Sequence, residues 1–127
     1  MASESIALPP GLSILLVEDE PLIAMDGEAI LLSLGAAHVA TARSVADALH
    51  AIDGQTFHAA ILDVRLGAET SVPLAVRLQE LGVPFGFLTG YSGDAIPDPF
   101  KDRPVAAKPF APDGLSKLLQ ALVAPNA

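Results

Sequence analysis

Five short apolar runs, each followed by a segment with helical spacing, constrain this chain more than any other feature of it. The runs are Ser13 to Val17, His38 to Ala42, Ala59 to Leu62, Phe85 to Leu88 and Val105 to Ala107. Strands buried on both faces read as short, nearly continuous apolar runs, and alternation of such strands with helices predicts βαβ units feeding one parallel sheet. The expected class is therefore α/β, doubly wound, with five strands.

The segments between the runs carry helix signals. Pro21 has the fixed φ that suits a first helical position, and a helix from there to just before Gly35 can place Leu22, Ile23, Ile30, Leu31 and Leu34 on one apolar face. Ser44 can cap a second helix that runs through Val45, Leu49 and Ile52 to the turn at Asp53 and Gly54. A third carries Val72, Leu74, Val76, Leu78 and Leu81 and stops at Gly82; the last spans Pro112 to Val123, with Leu115, Leu118, Leu119 and Leu122 facing inward. One connection breaks the alternation. From Gly90 to Pro104, two Gly and three Pro interrupt any helical run beyond about one or two turns, so the fourth helix is expected to be short or missing.

A chain of 127 residues that is 51% hydrophobic has room for one domain with a real core. Residues 12–124 are expected to form it, with 1–11 as an N-terminal tail and 125–127 as a C-terminal tail. The initiating Met and the short tails favour a free-standing protein. No cysteine is present, which excludes disulfides, thiolate zinc sites and thiol nucleophiles. With 15 acidic against 7 basic side chains and a net charge of −8, nucleic acid and anionic membrane surfaces are excluded as partners, because both require clustered Lys and Arg. No segment reads as a signal peptide or a bilayer span, so a cytoplasmic protein is expected.

In a doubly wound parallel sheet every strand ends on the same edge, and ligands bind just beyond those ends. The residues that follow the strands are Glu18, Asp19 and Glu20, then Asp63, Thr89 and Lys108. Carboxylates crowded on one rim repel, and a hard divalent cation such as Mg²⁺ relieves the repulsion. With that cation and Lys108 to neutralise a phosphoryl group, Asp63 is a suitable nucleophile, forming an acyl phosphate, and Thr89 can bond a phosphoryl oxygen. Each residue also has a plainer reading: Asp19 or Glu20 as a helix cap, Asp63 as a turn former, Thr89 as a turn hydroxyl, Lys108 as a solvated charge. The histidines, His38, His50 and His58, are scattered and lack metal-ligand spacing.

Four stretches, Ile14-Leu-Leu-Val-Glu-Asp-Glu20, Ile61-Leu-Asp-Val-Arg65, Phe87-Leu-Thr-Gly90 and Ala107-Lys-Pro-Phe110, resemble in order and spacing the signature motifs of bacterial response-regulator receiver domains, the CheY-like family. The resemblance covers nearly the whole chain. It implies a flavodoxin-like sheet of order 2-1-3-4-5, Asp63 as phosphoacceptor, Asp19 as direct Mg²⁺ ligand and Glu18 as an acidic partner acting through water. It further implies the backbone carbonyl of Arg65 as a metal ligand, Thr89 as the switch hydroxyl, and Lys108 ahead of a cis Pro109. Two departures stand out. Receivers usually carry an aromatic residue three positions before the lysine, where this chain has Val105, and Tyr91 is the candidate to replace it as switch. The stretch ending in Tyr91 resembles a stand-alone subgroup with a Phe-Ala-Thr-Gly-aromatic motif, although Leu88 stands at the Ala position.

The function these residues imply is that of a signalling domain rather than an enzyme. It would accept its phosphoryl group from a histidine kinase or phosphotransfer protein and act on a downstream effector through protein contacts. Two other functions compete. A pseudo-receiver would bind partners without phosphorylation. An aspartate-nucleophile phosphatase would need a second Asp two residues after Asp63 as general acid, and Arg65 stands there.

Overall fold

A computed structural model describes residues 11–90, 96–108 and 112–123. Five strands, β1 (Ser13–Val17), β2 (His38–Ala42), β3 (Ala59–Asp63), β6 (Phe85–Thr89) and β7 (Val105–Ala107), form one parallel sheet in the order β2-β1-β3-β6-β7. Counted along the sheet strands alone, this is the expected 2-1-3-4-5 winding. Helices α1 (Pro21–Ser33) and α4 (Pro112–Val123) cover one face; α2 (Val45–Gly54) and α3 (Val72–Leu81) cover the other. Side chains alternate across each strand: Leu15, Val17, Leu62, Phe85 and Phe87 meet α2 and α3, while Ile14, Leu16, Ile61 and Leu88 meet α1 and α4. Leu115, Leu118, Leu119 and Leu122 are all buried, as the spacing in α4 predicts.

Gly86 is required where α4 crosses the sheet. A Cβ there would stand 2.6 Å from Leu118 Cδ1 and 2.8 Å from the carbonyl oxygen of Pro104, closer than any side chain tolerates. Gly82 ends α3 at φ 73, in the left-handed conformation that closes a helix. At the start of α2 the Ser44 hydroxyl accepts the N–H of Asp47, as the capping pattern predicts.

The structure corrects one local expectation and adds two features. Leu22 does not share the buried face of α1: that stripe is Ala24, Gly27 and Leu31, and Leu22, about 200° around the helix from Ala24, is 78% exposed. Met25 and Leu32 are exposed as well, so α1 carries apolar side chains on its outer face. In α3 the buried stripe is Leu74, Ala75 and Leu78, which leaves Val76 and Leu81 exposed. The link from β3 to α3 folds into a small hairpin of β4 (Arg65–Leu66) and β5 (Glu69–Thr70), with Gly67 at φ 65 in its turn. In the weak region between β6 and β7, residues 98–100 make a single 3₁₀ turn, in keeping with a short or missing helix. No described helix is long and apolar enough to cross a membrane.

Candidate functional site

The parallel sheet brings three strand ends to one edge. Backbone pairing continues past the end of β1, where the Glu18 N–H donates to Ala42 O at 3.0 Å, and past the end of β7, where the Lys108 N–H donates to Thr89 O at 2.8 Å. Asp63 is the last residue of β3, opposite Leu88 of β6. The ladder thus fixes where each of these side chains starts. Glu18 and Asp63 are buried, at 0% and 3% exposure, and the Lys108 ammonium reaches between them. Its Nζ donates to Asp63 Oδ2 at 2.8 Å and to Glu18 Oε1 at 3.1 Å. The second Glu18 oxygen, Oε2, accepts the backbone N–H of Glu20 at 3.0 Å.

Asp19 joins this pair. Glu18, Asp19 and Asp63 each offer a carboxylate oxygen, and these oxygens all lie within 4.8 Å of one another. One ammonium against several carboxylates leaves negative charge in excess, and Glu18 registers it. Burial pushes its carboxyl up from the ordinary 4.5 to about 7; the Glu20 N–H opposes this, the Asp63 charge adds to it, and Lys108 offsets part. For Lys108, burial alone lowers the ammonium, but the hydrogen bonds to Asp63 and Glu18 outweigh it and carry the group above 10.5. An all-oxygen donor set with surplus negative charge fits a hard divalent cation.

Of the residues singled out from sequence, Glu18, Asp19, Asp63 and Lys108 converge. Thr89 is the half-buried last residue of β6, opposite Ala107. Arg65 lies two residues past Asp63 in β4 with its side chain exposed. Tyr91 and Pro109 lie outside the described residues. Glu20 is the N-cap residue of α1 but makes no side-chain capping bond, so the plainer reading of it as a cap does not hold; its N–H instead serves Glu18. His58 has a structural task away from the edge, its Nδ1 accepting the N–H of Ser13 at 2.9 Å.

Sequence reasoning did not find the hairpin. Its turn residue Gly67 lies beside the acidic group, with the place a Cβ would take 4.0 Å from Asp19 Oδ2. A Gly in the loop after a strand that ends at a binding edge was the available signal.

No model of a known protein family matches the chain. Solved structures and a curated relative do. SdrG from Sphingomonas melonis Fr1 is 48% identical with a TM-score of 0.79, over 87% of this chain and 95% of that one. The BeF3-activated conformation of SdrG from Pseudomonas melonis Fr1 is 46% identical with a TM-score of 0.76, over 91% of this chain and 98% of that one. The phyllosphere-induced regulator PhyR of Methylorubrum extorquens is 35% identical over 127 residues, which cover 93% of this chain and 46% of that protein, so the chain spans under half the length of this relative. A response regulator receiver domain (CheY-like) from Methylobacillus flagellatus shares the fold at a TM-score of 0.75 and 24% identity, over 87% of this chain and 98% of that one. Four signature stretches in register, the 2-1-3-4-5 winding and these likenesses agree: the chain belongs to the response-regulator receiver family.

Proposed function

We propose that the chain is a single-domain response regulator that takes a phosphoryl group onto Asp63 from a histidine kinase or phosphotransfer protein and signals through protein contacts. The observation that carries this reading is the Lys108 ammonium held 2.8 Å from a buried Asp63, beside Glu18 and Asp19 on the carboxyl edge of the sheet. An Asp63 carboxylate oxygen attacks phosphorus; the P–N bond of the donor breaks with its electron pair left on the imidazole, and an acyl phosphate forms. Lys108 passes from the carboxylate to the phosphoryl oxygens, and Thr89 offers its hydroxyl to one of them. Asp19 and Asp63, the Arg65 carbonyl and, through water, Glu18 are the groups that would hold Mg²⁺, which neutralises charge on the transferring group. BeF3 has the shape and charge of a phosphoryl group, and the activation of SdrG by it supports the same chemistry on this chain.

The partner surface follows from the position of the acceptor. Helix α1 starts three residues after Glu18 and exposes Leu22, Met25 and Leu32 on its outer face, apolar area that suits the helices of a phosphodonor reaching toward Asp63. Tyr91 is the residue proposed to report the phosphorylated state, since Val105 stands where the usual aromatic would be. Transfer from Asp63 onward, to an effector or by hydrolysis, then resets the domain.

Incubation with Mg²⁺ and acetyl phosphate followed by intact mass tests the assignment. Wild type is expected to gain one phosphoryl group and Asp63→Ala none, and chelating Mg²⁺ is expected to abolish the gain. An unmodified wild type, with partner binding unchanged in Asp63→Ala, would establish a phosphorylation-independent module instead.

A further inference from the structure

The hairpin that follows Asp63 is too short to hold its own shape. Two residue pairs, Arg65 with Thr70 and Leu66 with Glu69, are far below what an isolated hairpin needs in water, so anchors outside it decide its position. Three anchors are present. At the base, buried Ser71 donates its N–H to Val64 O at 3.0 Å and its hydroxyl to the same oxygen at 3.4 Å. Inside, Leu66 is buried in the core that α2 and α3 share. On the returning strand, Glu69 reaches out of the hairpin, and its Oε1 accepts the N–H of Val45, the first residue of α2, at 3.4 Å.

The third anchor adds a polar bond from the returning strand to the first turn of α2, beside the apolar contact that Leu66 makes with the core under that helix. The first turn of α2 has its own local caps: Ser44 Oγ for the Asp47 N–H, and Asp47 Oδ2 for the Arg43 N–H. Val45 takes its acceptor from the connection that leaves the acceptor aspartate. A carboxylate at that place also meets the positive end of the helix. At the turn of the hairpin Gly67 lies beside Asp19, with the place a Cβ would take 4.0 Å from Asp19 Oδ2.

We propose that Glu69 is a positioning residue: by bonding the N-terminus of α2 it holds the hairpin so that its turn, at Gly67, stays beside Asp19, and so couples cation binding at the acidic site to the first turn of α2. This rests on the reading of that site as a Mg²⁺ site. Outer residues that orient a metal's ligands typically change its affinity by about 10- to 100-fold when lost. Glu69 acts through backbone rather than through a ligand side chain, and an effect at the lower end, about tenfold, is expected.

The test uses the full chain and Mg²⁺ alone, with affinity read by calorimetry and the Val45 amide followed by NMR. Glu69→Ala is expected to weaken Mg²⁺ binding about tenfold and to abolish the shift of the Val45 amide that Mg²⁺ produces in wild type. Glu69→Gln keeps an oxygen acceptor and is expected to recover most of the affinity. Asp47→Ala, which removes a cap from the same turn without touching the hairpin, is expected to lower thermal stability and leave Mg²⁺ affinity as in wild type. Wild-type affinity in Glu69→Ala overturns the coupling, as does equal weakening by Asp47→Ala or by Glu69→Gln. If wild type itself binds no Mg²⁺, the metal-site reading fails first and this inference with it.

Discussion

At the carboxyl edge, the acceptor residues are set in place by ladders: Glu18 extends β1 through a backbone bond to Ala42, Asp63 closes β3, and Lys108 extends β7 through a bond to Thr89. Residues 96–104, on the way from β6 to β7, have almost no ladder of their own. They hold to the sheet by a backbone bond from the Phe87 N–H to Pro104 O at 2.9 Å, by half-buried Ile96, by the buried ring of Phe100, whose centroid lies 5.7 Å from that of Phe85 and 6.3 Å from that of Phe87, and by Arg103 stacked 4.2 Å over Phe85. The acceptor edge inherits its geometry from topology, and many backbone bonds share the load. The other region concentrates its hold in a few side chains. The two regions nonetheless share one core, since Phe100 is buried in the same apolar cluster as Leu62 and Val64, the neighbours of Asp63.

The largest effect that separates the regions is expected at Phe100. Removing a fully packed ring costs about 3–5 kcal/mol, so Phe100→Ala should lower the denaturation midpoint by a corresponding amount. The phosphoryl adduct formed by the molecules that remain folded should be unchanged, since sheet pairing and the Lys108 bond, rather than the Phe100 ring, set Asp63 in place. Denaturant titration paired with intact mass after acetyl phosphate measures both. A loss of labelling in the folded fraction would break the separation and place Phe100 on the path to the acceptor.

A second effect belongs to the acceptor edge alone. Glu18 ionises near 7 in the folded protein and near 4.5 when unfolded, so between those values the folded state holds a proton that the unfolded state lacks. Its contribution to stability is therefore present below about pH 4.5 and is lost as pH rises through about 7, the reverse of a carboxylate held low by a salt bridge, and on the order of 2 kcal/mol is at stake. Urea denaturation of metal-free protein at pH 5 and pH 8, compared with Glu18→Gln, isolates the group: wild type should lose stability relative to the variant as pH rises. Mg²⁺ competes with that proton and should flatten the difference. An identical pH profile for the two proteins would mean that Lys108 already satisfies Glu18 in full.

The two regions also differ in how far sequence reveals them. The edge was legible because strand order turns separate fragments into neighbours: nothing local links Glu18, Asp63 and Lys108, yet short apolar runs at Ser13, Ala59 and Val105 place all three on one rim. The leucines of α4 were legible for the same reason, a period that reports a face. Helix α1 was not, because it is apolar on nearly every side and its spacing cannot say whether Leu22 or Ala24 turns inward. Strands of two residues, as at Arg65 and Glu69, carry no period at all. Phe100 is a single ring in a Gly- and Pro-rich stretch, and composition there announces a helix that is short or missing without naming which side chain holds the stretch. The proposed switch residue Tyr91 lies outside the described residues, so the comparison rests on 96–104.

The smallest effect sharpens the account of residues 96–104. Arg103 makes two contacts, its guanidinium over the Phe85 ring and an Nη2 donation to Gln79 Oε1 of α3 at 3.2 Å. The ring lies in the core, but the arginine is only half-buried, so the stacking is worth about 0.5–1 kcal/mol rather than the larger value of a desolvated pair. Arg103→Ala should cost about that much in denaturant titration, several times less than Phe100→Ala. Arg103→Lys keeps the charge but loses the planar stack and the forked donor, and should recover little of it. If Arg103→Ala instead costs as much as the loss of the Phe100 ring, the segment is clamped from its surface to α3, and its main hold lies in Gln79 rather than in the aromatic core.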